Sequence, residues 1–133
     1  MGTQISPMLA VSDAAAAIEF YTRAFGAVLR WQIGEPAGVA GMAIDGAEFF
    51  LADESPEYGT RSPDAAGHTT VRIELFVDDP EAAVSRALAA GARESSPVQE
   101  HAYETVAGTT LRMLQGSVID PFGHKWLLGR FID

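Results

Sequence analysis

Hydrophobic and polar positions follow the same order twice along the chain. Residues 11–27, VSDAAAAIEFYTRAFGA, and residues 77–92, VDDPEAAVSRALAAGA, each open on a valine that closes an apolar stretch. Each then passes an aspartate, runs through an alanine-rich segment and stops at Gly-Ala. Apolar residues recur three and four positions apart at Ala17, Ile18, Tyr21, Ala24 and Phe25, and again at Ala83, Val84, Ala87, Leu88 and Ala90. That spacing predicts two helices, each with one buried face. Asp13 and Asp79 suit the position that accepts hydrogen bonds from first-turn amides. Pro80 suits the first helical residue, and Gly26 and Gly91 suit a left-handed stop.

After each helix the period shortens to that of strands. The first half predicts strands at Val28 to Ile33, Gly38 to Ile44 and Glu48 to Ala52, with Asp45-Gly46 as a hairpin turn. The second predicts Arg93 to Val98, Thr109 to Ile119 with an interruption at Gly116, and Lys125 to Phe131. In VRIELFV, alternation puts Val71, Ile73, Leu75 and Val77 on the core side and Arg72, Glu74 and Phe76 on the other. Ile5, Leu9 and Val11 pack inward by the same rule, leaving Ser6, Met8 and Ala10 outward. Glu48, Phe50 and Ala52 share a face, as do Lys125, Leu127 and Gly129. The pattern is therefore an α+β fold of two tandem βαβββ modules in one 133-residue domain, module 1 about 1–53 and module 2 about 68–133. The segment between them, Asp53 to Gly67, is rich in proline, glycine and acid and reads as a linker.

Composition narrows the partners. A formal net charge of -9 opposes binding to nucleic acid or anionic membranes, and no apolar run is long enough to cross a bilayer. The N-terminal MGTQISPML lacks the features of a secretion signal, so a cytoplasmic location is expected. With no cysteine, disulfides, thiolate nucleophiles and cysteine metal sites are excluded.

The duplicated βαβββ order, the V-x-D before each helix, the Gly-Ala after it and the late DPFGHKW together resemble the vicinal oxygen chelate superfamily of glyoxalase, bleomycin-resistance and extradiol dioxygenase proteins, its PhnB-like branch in particular. The stretches that carry the likeness are Pro7 to Ala27, Leu51 to Pro63, Leu75 to Ala92 and Asp120 to Trp126. The resemblance implies sheets curled around an open cavity, commonly in a homodimer. It also implies four wall positions that hold a divalent ion in metal-using relatives. Counted from the valine before each helix and from each turn glycine, those positions are Ser6, Arg72, Phe50 and Leu127. A borderline divalent ion takes imidazole and carboxylate donors, so these four predict no metal and no cofactor.

The remaining polar groups are sparse. Glu74 points to the cavity side beside Arg72, as base or as the arginine's ion-pair partner. Glu100, His101, Tyr103 and Glu104 read as a polar loop bordering the cavity, with His101 a second candidate base. His68 reads as solvated, and the resemblance gives His124 a structural role. Asp53, Glu54 and Glu57 lack the spacing of a calcium loop. Trp126 reads as core, and Trp31 is open between core and ligand contact. These residues predict a pocket for a small organic ligand, lined by Met8, Phe50, Phe76 and Leu127, with Ser6, Arg72, Glu74 and His101 as its polar contacts. Sequestration is the leading reading. A metal-independent lyase or isomerase is the alternative, and a metalloenzyme with relocated ligands comes behind both, so enzymatic activity is left undecided.

Overall fold

The computed structural model describes residues 2–34 and 38–133. Strand β1 (Met8–Val11) leads into helix α1 (Ala14–Phe25) and then β2 (Val28–Ile33), β3 (Val39–Ile44) and β4 (Ala47–Asp53). After a short helix α2 (Pro63–Ala66), the order repeats as β5 (Arg72–Phe76), α3 (Pro80–Ala90), β6 (Arg93–Glu104), β7 (Thr110–Ile119) and β8 (Lys125–Ile132). The expected caps form. Asp13 accepts from the amide of Ala16 and Asp79 from that of Ala82, each at 3.1 Å, and Gly26 and Gly91 end their helices at positive φ.

Each half makes its own four-stranded mixed sheet, ordered β1-β4-β3-β2 and β5-β8-β7-β6, with the first pair parallel and the others antiparallel. Leu9, Val11, Phe49 and Leu51 of one sheet and Val118, Trp126 and Leu128 of the other meet α1 and α3 in a single buried cluster. Both sheets thus turn their helix-bearing faces to one core, and their other faces point away from it. A single chain therefore supplies two walls, one from each four-stranded sheet. Among the described residues, no helix is long and apolar enough to cross a membrane.

Three expectations change. Ile5 and Val71 are exposed rather than inward, because β1 and β5 begin only at Met8 and Arg72. The EHAYE segment is strand and not loop: β6 runs twelve residues and pairs with β7 as far as Glu104–Thr110. Its polarity reflects an edge strand, and Pro97 sits where the register shifts between Ser96 and Gln99, so its missing N–H costs no ladder bond. Gly116 does not break β7; it makes room, since a Cβ there would lie 2.8 Å from Cγ2 of Val98.

The linker also has structure. It holds a 3-10 turn at Pro56–Tyr58 and then α2, capped by the buried hydroxyl of Ser62, which accepts from the amide of Ala65 at 3.2 Å. The amide of Asp64 donates to the carbonyl of Phe122 at 3.0 Å and so ties the linker to the DPFGHKW turn. In that turn Asp120 is 3% exposed, and its carboxylate accepts four hydrogen bonds. Oδ1 receives the amides of Phe122 and His124, both at 2.9 Å, while Oδ2 receives the Tyr21 hydroxyl at 2.5 Å and the Trp126 indole at 2.9 Å. Burial first, then the charge of Asp120 and the hydrogen bond to it, pushes the Tyr21 hydroxyl well above its usual value. His124 donates from Nε2 to the carbonyl of Ala10 at 2.7 Å, the structural role expected of it. Between the helices, Nε of Arg86 donates to the carbonyl of Arg23 at 2.8 Å, near the end of α1.

Candidate functional site

The outward face of the first sheet is built around a glycine. Met8, Phe50, Gly41 and Trp31 form one row across its four strands. The Trp31 indole lies on Gly41, where an added Cβ would come within 2.3 Å of the ring, and meets Phe50 edge-on at 5.1 Å between ring centroids. Only glycine lets the indole lie this close to the backbone. Neighbouring outward positions hold Val28, Ile33, Val39, Ala43, Ala10 and Ala52, with Glu48 the one carboxylate in their register. Ser6 precedes β1 and is half-buried in a shallow cleft with Gly46 and Glu48. Trp31, open from sequence, is therefore a wall residue. The bulge between Leu29 and Trp31 hides this from simple alternation, because it puts Val28 and Trp31 on the same face three positions apart.

The second sheet's outward face is different in chemistry. Arg72, Lys125, Ile119 and Arg93 make its first row, followed by Glu74, Leu127, Ser117 and Ser96, then Phe76, Gly129, Gln115 and Gln99. Farther along, Phe131, Met113 and His101 align, and the rings of His101 and Tyr103 stack at 6.1 Å. Phe76 and Phe131 stack at 5.3 Å with an interplanar angle of 19°, more than half exposed. The hydroxyls of Ser96 and Ser117 share a 2.7 Å hydrogen bond. Glu74 does not form the expected ion pair with Arg72; its Oε1 accepts from Nε2 of Gln115 at 3.2 Å. Glu100 is on the opposite face, where it pairs with Arg112.

The eight residues expected to line one pocket are thus split between two walls, Ser6, Met8 and Phe50 on one and Arg72, Glu74, Phe76, His101 and Leu127 on the other. Among the described residues, three clefts reach Met8, Ser6 and Glu74 separately. One of about 400 Å³ lies between β1, the linker and β5, and takes Met8 alone of the eight; a smaller one beside Trp126 takes Glu74. Ser6, Arg72, Phe50 and Leu127, the positions that the resemblance marks for an ion, carry a hydroxyl, a guanidinium, a benzyl and an isobutyl group. That set does not fit a borderline divalent ion. Among the described residues no three of histidine, aspartate and glutamate come together as ligands.

The family model described as the Glyoxalase/Bleomycin resistance protein/Dioxygenase superfamily matches residues 4–128. An uncharacterized protein of Mycobacterium bovis is 38% identical over a 132-residue alignment that covers 95% of this chain and 82% of the relative. The X-ray structure of a gene product from Arabidopsis thaliana superposes with a TM-score of 0.74 at 25% identity, covering 98% of this chain and all of the other. A bleomycin-binding protein solved in complex with bleomycin shares the fold at a TM-score of 0.62 and 18% identity, covering 97% of this chain and 98% of its own. With the two four-stranded modules and the match along nearly its whole length, the chain belongs to the glyoxalase, bleomycin-resistance and dioxygenase superfamily.

Proposed function

We propose that this chain binds and sequesters a small organic molecule, without a metal, between the outward face of the first sheet and the second-sheet face of another copy in a homodimer. The observation that carries this reading is the open aromatic wall, with Trp31 held on Gly41 against Phe50 beside an exposed Met8. A solvent-facing apolar surface of this kind is the usual mark of a binding face, and a planar ligand gains stacking area on it. A neighbour of the same fold is a bleomycin-binding protein solved in complex with bleomycin, which supports a binding role. The acid- and proline-rich linker and the DPFGHKW turn support placement in the PhnB-like branch.

Trp31 also provides the readout, since Trp126 is buried and Trp31 is not. Titration with planar aromatic compounds, bleomycin among them, is expected to quench Trp31 emission saturably and to leave the compound chemically intact. At a hundredfold excess over Kd the stabilisation is about 2.7 kcal/mol. Substituting Trp31→Phe removes the quenching. Sedimentation at micromolar concentration should give a dimer. A monomer that binds none of the compounds would refute the proposal, and turnover of a bound compound that disappears in Glu74→Gln or His101→Gln would replace it with the lyase or isomerase reading.

A further inference from the structure

The first row of the second sheet sets Arg72 directly beside Lys125 on adjacent parallel strands, with Arg93 farther along the same row. Like charges placed opposite each other in a sheet destabilise it. In a chain with nine basic residues and a net charge of -9, three of them share this row. None of the three makes an ion pair with a carboxylate among the described residues. Glu74 is the only carboxylate in the outward register of this sheet, and Gln115 holds it instead of Arg72. A local rule broken without internal compensation is the signature of a group kept for something outside the fold.

We propose that the Arg72–Lys125 row is an oxyanion subsite, and that the ligand carries a carboxylate or phosphate at one end and a planar apolar group at the other. This rests on the binding role proposed above and adds the chemical class of the ligand. The stacked pair Phe76–Phe131 receives the planar end. Arg72 and Phe76 are four residues apart on β5, so the two ends are separated by about 13 Å at the level of the backbone. Between them lie Glu74, whose carboxylate is held by Gln115, then Leu127 and the hydrogen-bonded hydroxyls of Ser96 and Ser117, so the spacer must be narrow and carry no negative charge of its own. The guanidinium of Arg72 offers a fixed fork of donors to an oxyanion, and the Lys125 ammonium adds a point charge.

The test uses a series of ω-(2-naphthyl)alkanoic acids of increasing chain length, each beside its primary amide and its alkyl phosphate counterpart, titrated into the full-length protein at low salt. The expected result is an acid bound tenfold or more tighter than its amide, with the ratio largest for chains that span about 13 Å. That ratio should shrink as ionic strength rises. In Arg72→Gln and in Lys125→Met it should fall towards one, while the ligand-free melting temperature holds or increases because the like-charge contact is relieved. A phosphate that outbinds the carboxylate would identify the anion as phosphoryl, and the reverse would identify it as carboxylate. Equal affinity of acid and amide for the unmodified protein would overturn the subsite and leave the binding role standing. Failure of every acid, amide and phosphate to bind would overturn both. A lower ligand-free melting temperature in Lys125→Met would show that the charge stabilises the sheet, which also defeats the proposal.

Discussion

The two modules have the same strand order, yet their corresponding hairpin turns have opposite characters. In the first, Ile44-Asp45-Gly46-Ala47 is a bare hairpin: Asp45 has a φ of 49°, Gly46 one of 86°, and nothing lies within 4 Å of the place where a Gly46 Cβ would sit. In the second, Asp120 begins a longer turn whose carboxylate is buried under four donors. A Cβ on the matching Gly123 would fall 2.4 Å from the amide nitrogen of Asp64. A duplicated frame has kept its aspartate and its glycine and given them different work. One pair only reverses the chain, while the other joins helix, strand and linker.

That contrast breaks most sharply at Asp120. Asp120→Ala strands four donors in the core and is expected to cost about 4 kcal/mol or more by urea denaturation, against a total stability of roughly 5–15 kcal/mol. Gly123→Ala combines a left-handed backbone penalty with overlap on the α2 backbone, and about 3 kcal/mol is expected. The Tyr21 hydroxyl sharpens the comparison through pH. Its pKa in the folded chain is raised, so its contribution is fully present below the unfolded value of about 10 and is lost as pH climbs towards the folded value. In that window stability should fall by about 1.4 kcal/mol per pH unit beyond what the exposed tyrosines give, and Tyr21→Phe should flatten the slope. Smallest is Gly46→Ala, with open space around it and only the backbone term of about 1 kcal/mol. A Gly46→Ala cost equal to that of Gly123→Ala would show that the two turns are alike after all.

The features visible from sequence were those with a local cause. Helix caps, the apolar stripes of α1 and α3, the Asp45-Gly46 turn and the core role of Trp126 follow from spacing within a few residues. The alternation in RIELF also placed Arg72, Glu74 and Phe76 outward, as found. Features with a distant cause were not visible. Glu74 meets Gln115, 41 positions away, rather than the arginine two residues before it. The polar stretch through His101 is a strand because β7 lies alongside it, and nothing inside the stretch announces that. Trp31 was undecided because a bulge resets its parity. The division of the expected pocket into two walls depends on how the two sheets share a core, which is a property of neither module by itself.

The contacts made by Asp120, His124 and Arg86 make the two halves of the chain unequal partners. Each takes its counterpart from the other half of the chain, through Tyr21, the Ala10 carbonyl and the Arg23 carbonyl respectively. Cut in two, its pieces would complement one another but not themselves.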